Sequence, residues 1–321
     1  MSLEKPAGSV LSRGMISMAL SAVAFSLMAT LVKIAGPSIP NQELVALRSL
    51  ASILPIAAMF VVRKVPLRLH KPGWLFLRGF LGYLAITCWF VSLNRLSLPD
   101  SVMIQYTSPV FVALMAPTLI GERSGARDRW ALAIAIAGVA LVVRPGLGLN
   151  LPGASIGLAG AICSAGAYLT IRSLRHSDHP FVVMLAFPAV ASVCALTVIL
   201  ATPIVGRFVA LPGDPSGWIW PDGRGWALIS GIALMTAAGQ VTLTYGLQLE
   251  PAGRATVATY LAVAVSIPLG IVLFDQWPDS WMLVGGAMVI GAVAAISVVK
   301  HRPVAPPAGA GGGRMTEGLE E

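Results

Sequence analysis

A few side chains able to hold a small molecule are embedded in the long apolar stretches of this chain: Gln240, Trp89, Gln105, Tyr106, Tyr260, Arg78 and Arg48. A polar group in such a stretch is costly unless it is paired or faces a cavity. The Gln240 amide can donate and accept at once, so it either lines a cavity or holds a helix–helix hydrogen bond. Tyr106 and Tyr260 read either as ring-shaped walls or gates or as interfacial anchors. Arg48 and Arg78 each lie only about five residues inside an apolar segment, shallow enough to snorkel to water. If either faces a cavity instead, it favours a carboxylate or a phosphate, and aromatic walls add tolerance for apolar parts. This is the chemistry of recognition and not of bond making. No catalytic or metal constellation is expected, because His70, His176, His179 and His301 all fall in connectors or the tail. His176-Ser-Asp-His179, their one short cluster, reads as a solvated turn.

The elements that must position these groups follow from hydropathy. Hydrophobic residues are 56% of the chain against 11% charged, where a soluble domain carries roughly a quarter charged residues. Ten segments reach the approximate length needed to cross a bilayer: 13–35, 43–62, 73–94, 101–120, 130–143, 154–172, 180–203, 225–248, 253–274 and 280–299. The first is too long for a signal-peptide core and is read as a retained helix. The net charge of +8 forms no basic face that would suit nucleic acid. Placing the N-terminus inside puts fifteen Lys and Arg in inner segments and five in outer ones, with Arg48 and Arg78 intrahelical, so both termini are expected in the cytoplasm. Cys88, Cys163 and Cys194 lie inside apolar runs and read as small packing residues.

The two halves resemble each other weakly. Leu96–Tyr106 parallels Leu249–Tyr260, and each leads into an apolar helix that ends in an acid, Glu122 or Asp275. Tyrosine and acid are 16 residues apart in the first half and 15 in the second. Five helices per repeat reverse its orientation, so the second half is expected inverted with respect to the first, an arrangement that lets one half rock against the other. Gly79 and Gly82, with Gly285, Gly286 and Gly291, offer small faces for close helix approach. Pro109 and Pro268 are candidate bends.

The ordered set Arg78-Gly-Phe-Leu-Gly82, Leu96-Ser-Leu-Pro-Asp-Ser101, Tyr106-Thr-Ser-Pro-Val-Phe111, Leu119-Ile-Gly-Glu-Arg123, Gly138-Val-Ala-Leu-Val-Val-Arg-Pro145 and Leu249-Glu-Pro-Ala-Gly253 resembles the EamA-domain members of the drug/metabolite transporter superfamily. The resemblance covers roughly residues 13–299. It implies an all-α membrane protein of ten transmembrane helices in two inverted five-helix repeats, set in a bacterial inner membrane. It further implies a central cavity lined mainly by helices three, four, eight and nine. The expected organisation is a cytoplasmic segment 1–12, repeats 13–145 and 154–299, and a disordered tail 300–321. The second half departs from the pattern in reading Phe274-Asp275 and in having no proline that matches Pro109.

The expected activity is therefore alternating-access transport of a small organic metabolite, with amino acids or related compounds leading, and not an enzyme reaction. No cofactor is expected. The partners are the metabolite and the lipid bilayer, and the chain is expected to act as a monomer. No Asp or Glu falls in the middle of an expected helix, Glu43 and Glu122 standing at edges, which favours facilitated diffusion or exchange over a carboxylate proton relay. A membrane enzyme acting on a lipid or phosphorylated substrate, or a noncatalytic scaffold, is the competing class.

Overall fold

Prolines and apolar runs set the element boundaries. The computed structural model describes residues 13–64, 68–120, 126–143, 150–174, 177–205, 218–249 and 258–299. Among them the regular elements are all α-helices: α1 (Arg13–Ala35), α2 (Asn41–Arg63), α3 (Pro72–Arg95), α4 (Leu98–Gln105), α5 (Ser108–Ile120), α6 (Ala126–Val143), α7 (Leu151–Leu174), α8 (Pro180–Val205), α9 (Gly223–Leu249), α10 (Leu261–Phe274) and α11 (Ser280–Val299). Six of them, α1, α2, α3, α7, α8 and α9, hold runs long and apolar enough to cross a membrane. Shorter apolar runs occupy α6, α10 and α11. Their outward faces carry large apolar side chains such as Val272, 80% exposed, and Leu200, 74% exposed. Such a surface would drive a soluble protein to aggregate but is matched to lipid.

The apolar segment 101–120, read as one helix, is two. α4 ends at Gln105 and α5 begins at Ser108, with Tyr106 and Thr107 between them. Pro109 is the physical reason: its ring clashes with the carbonyl four residues back, that of Gln105, and it has no N–H to continue the ladder. The Thr107 hydroxyl donates to the Ile104 carbonyl at 2.6 Å, closing the end of α4. The second half is interrupted at the matching place. Ala258 and Thr259 are helical, Tyr260 is in a turn, and α10 starts at Leu261. This break needs no proline. Pro268 lies further on, inside α10.

Packing between the halves is reciprocal. The most extensive contacts join α1 to α9 and α3 to α7, and each is the other's counterpart when the first five segments are laid on the second five. By the same correspondence α5–α7 answers α1–α10 and α3–α8 answers α2–α9, while α2–α8 and α6–α11 map onto themselves. Small residues permit the approach. A Cβ on Gly79 would lie 2.5 Å from Val190 Cβ, and one on Gly138 would lie 2.8 Å from the Gly285 carbonyl oxygen. Gly291, by contrast, has nothing within 4 Å of its Cβ position, so it does not belong to the packing set. Serine hydroxyls add interhelical bonds, Ser21 to the Gly239 carbonyl at 3.0 Å and Ser26 to the Ala262 carbonyl at 2.9 Å. Each such bond is worth about 0.6 kcal/mol in a bilayer.

The connectors meet in two groups, as segments that alternate in direction require. The Asp178 carboxylate, between α7 and α8, accepts the backbone N–H of His70, between α2 and α3, at 2.8 Å. It is 5% exposed, so this residue of the stretch read as a solvated turn is covered, while His176 lies outside the described residues. On the other side Glu43 accepts the Ile219 N–H at 3.0 Å, Gln276 accepts the Leu98 N–H at 2.8 Å, and Asn94 donates to Asn41 at 2.7 Å. Asp275 ends α10 in the left-handed conformation, φ 52°. Glu122, its expected counterpart, lies outside the described residues.

Candidate functional site

Two arginines enter from opposite ends of the bundle and converge on one ring. Arg48 is seven residues from the start of α2 and Arg78 six from the start of α3, about 10 Å along each helix. Neither snorkels. Arg48 is 2% exposed and Arg78 6% exposed, because α8 packs over both helices and covers them. The Arg48 guanidinium sits 5.4 Å from the centre of the Phe187 ring and 5.5 Å from that of Phe90, and Arg78 sits 5.0 Å from Phe187. Gly82 makes room for this: a Cβ there would be 2.5 Å from Phe187 Cδ2 and 2.7 Å from Arg78 Nη1.

Hydrogen bonding to these cations is sparse. Arg48 Nη1 donates to Thr236 Oγ1 at 3.3 Å, and Thr236 donates on to the Met28 sulfur at 3.1 Å. The Nε atoms of both arginines are buried without a partner. Among the described residues no carboxylate forms an ion pair with either one. Burying a charge in this way carries a penalty of several kcal/mol that ring contacts offset only in part.

A small cavity opens beside Arg48. It is lined by Ser49, Ser52 and Ile56 of α2, by Met184, Phe187 and Pro188 of α8, and by Thr236 and Gln240 of α9. Gln240 is thus brought next to Arg48. The helix set differs from the expected one: segments two, seven and eight wall this cavity, where three, four, eight and nine were expected. α2 and α8 pack directly on one another, with the Arg48–Phe187 contact between them, and so share this cavity.

Segments four and nine build a second, adjoining layer. Tyr106 and Tyr260, each at its helix break, pack ring to ring at 6.4 Å and a 51° tilt. Tyr260 is 5% exposed and its hydroxyl has no partner. Tyr168 of α7 is an electrostatic neighbour of both Arg78 and Tyr106 and so joins the layers. Gln105 donates to Ser164 Oγ at 2.8 Å while its carbonyl oxygen is buried unpartnered. Trp89 is 5% exposed with an unpartnered indole N–H. Sequence reasoning missed Phe187, Thr236 and Tyr168. An aromatic beside Pro188 looks like ordinary packing until its two cations are seen in space. Among the described residues no group of three His, Cys, Asp or Glu is placed to hold a metal ion.

Comparison with known proteins gives a consistent result. The EamA-like transporter family matches residues 12–144 and again residues 151–298. The chain is 28% identical over 294 residues to the pseudopaline exporter CntI of Pseudomonas aeruginosa, covering 91% of this chain and 98% of that protein. It is 25% identical over 293 residues to mouse solute carrier family 35 member G1, covering 86% of this chain and 76% of that one. A crystal structure with 20% identity superposes with a TM-score of 0.64 over 91% of this chain and 99% of the other, a likeness of fold.

Proposed function

Because the chain belongs to the EamA-like transporter family, and is therefore a multi-pass membrane protein that moves small molecules, we propose that it is an alternating-access carrier of amino acids or related organic metabolites. The observation that carries this reading is the pair of interrupted helices, whose breaks at Tyr106 and Tyr260 meet, with Tyr168 standing between Tyr106 and the buried Arg78. Broken helices crossing at the centre of two related halves are the usual way a carrier builds a site reachable from either side.

On this reading ten segments cross the bilayer, with α4 and α5 forming one interrupted span, and the repeats run over 13–145 and 154–299. Both termini face the cytoplasm, which the charge bias and the matching connector groups favour. Gln240, Arg48 and Arg78 line the site with Trp89, Gln105, Tyr106 and Tyr260, while Gly79, Gly82, Pro109 and Pro268 set helix approach and bending. Export is the favoured direction, since one similar protein is an exporter.

Transport of labelled amino acids by the purified chain in proteoliposomes tests the reading. Saturable flux of a chemically unchanged compound, with trans-stimulation by the same compound, is expected. Chemical conversion of the compound would favour a membrane enzyme, and lack of flux for any amino acid or related metabolite would refute the carrier.

A further inference from the structure

We propose that Arg48 and Arg78 are the anion-binding groups of the carrier, and that the Phe187 ring is a built-in placeholder that a substrate carboxylate displaces. The inference rests on the transport reading above and adds to it a substrate class and a coupling residue.

One ring serves two cations. With guanidinium carbons 5.4 and 5.0 Å from its centre, Arg48 and Arg78 lie no more than about 10 Å apart. That spacing lets one small carboxylate-bearing molecule reach both. A ring face attracts a cation weakly beside a bidentate carboxylate, which makes two charge-assisted hydrogen bonds. Arg78 donates no side-chain hydrogen bond to the described residues, and the Nε of each arginine is buried without a partner. The donors are held in place, and among the described residues no acceptor of matching charge is paired with them. Thr236 and Gln240 stand beside Arg48 to meet the neutral polar part of the molecule.

The placeholder also bridges the two halves. Phe187 belongs to α8, whereas its cations come from α2 and α3. While the ring is seated it adds one link to the α1–α9 and α3–α7 packing between the halves, and Gly82 provides the flat seat. A carboxylate that takes the guanidiniums removes this one link among the several between the halves, and so lowers the cost of rocking. An internal competitor of this kind lowers apparent affinity by the fraction of time it is seated.

The test uses the full chain in vesicles of phosphatidylcholine alone, so that an anionic lipid cannot be the source of the bound group. The vesicles are loaded with N-acetyl-L-alanine, L-glutamate and succinate together with the neutral N-acetyl-L-alaninamide and succinamide, and efflux is followed by mass spectrometry. At least one carboxylate is expected to leave roughly tenfold or more faster than the amides. Arg48→Gln and Arg78→Gln should each erase that preference, and Arg48→Lys and Arg78→Lys should keep part of it. Phe187→Leu should lower the carboxylate KM by roughly fivefold to thirtyfold. Equal efflux of amides and carboxylates, Gln variants that slow both alike, or a raised KM in Phe187→Leu would each overturn the proposal while leaving the carrier intact. If nothing leaves, the thermal midpoint of the purified chain with the same carboxylates against chloride decides. Stabilisation that disappears in Arg48→Gln and Arg78→Gln upholds the anion site and places the failure on transport, whereas no stabilisation overturns the site.

Discussion

Replacing Gly79 by alanine tests whether the α3–α8 approach is as close as described, and its magnitude can be worked from two distances. The new Cβ would lie 2.5 Å from Val190 Cβ and 2.7 Å from the Ala186 carbonyl oxygen. Carbon atoms in ordinary contact are about 3.5–4.0 Å apart, so α3 and α8 would have to part by roughly 1 Å. The Ala186 oxygen is backbone and cannot swing away. Overpacking of this kind costs about 1–3 kcal/mol, and alanine's better helix propensity returns up to about 1 kcal/mol. A net loss of about 1–2 kcal/mol is expected. Gly291→Ala is the internal control, because nothing lies within 4 Å of its Cβ position and only the propensity gain remains. Both variants, purified in detergent, are compared by thermal unfolding, where Gly79→Ala should melt a few degrees lower and Gly291→Ala level or higher. A Gly79→Ala midpoint at or above the parent, or a Gly291→Ala midpoint as low as that of Gly79→Ala, would refute the packing described for α3 and α8. Gly82→Ala should behave differently, since its neighbours are the far ends of Phe187 and Arg78. Those groups can move, so transport should suffer more than stability.

Three further outcomes follow from the described contacts. Tyr260→Phe removes a buried hydroxyl that has no partner, so the variant should unfold at the same temperature or slightly higher; a clear loss of stability would show that the hydroxyl is bonded. Asp178 is drawn upward by burial, but the His70 N–H at 2.8 Å, the Ser177 hydroxyl at 2.9 Å, nearby His70 and the Lys71 N–H outweigh this and hold it below the usual 3.8. Its contribution is therefore complete above the unfolded value and lost as pH falls through the lower folded value. Asp178→Asn should cost about 1–3 kcal/mol at pH 7, and melting curves of parent and variant should converge only below pH 4; parallel curves down to pH 3 would contradict this. Glu43→Gln should leave flux equally indifferent to an imposed proton gradient, because Glu43 sits at the end of α2 holding the Ile219 N–H. Strict gradient dependence abolished by that substitution would show a carboxylate relay instead.

The helices were legible because a bilayer makes length and hydropathy nearly sufficient, and the same physics hid the site. Apolar runs look alike whether continuous or broken. Segment 101–120 contains Pro109, whose effect on Gln105 is local and readable, but Tyr260 interrupts its helix with no proline to announce it. The tyrosine repeat signalled that the two positions were related, while their ring contact at 6.4 Å depends on how the halves fold together. The arginines show the limit most clearly. In sequence each lies near a helix end, and snorkelling is the reading that depth alone favours. What reverses it is α8 laid across both α2 and α3, which places Phe187 between charges that enter from opposite ends. Depth along a helix reports distance to water only where the side chain faces lipid. Where it faces a neighbouring helix, the partner decides, and here that partner is an aromatic ring that satisfies neither cation fully. A cation left short of an acceptor inside a membrane protein is retained at a stability cost, and the efflux and thermal-midpoint comparisons of Arg48→Gln and Arg78→Gln decide whether cargo is what that cost serves.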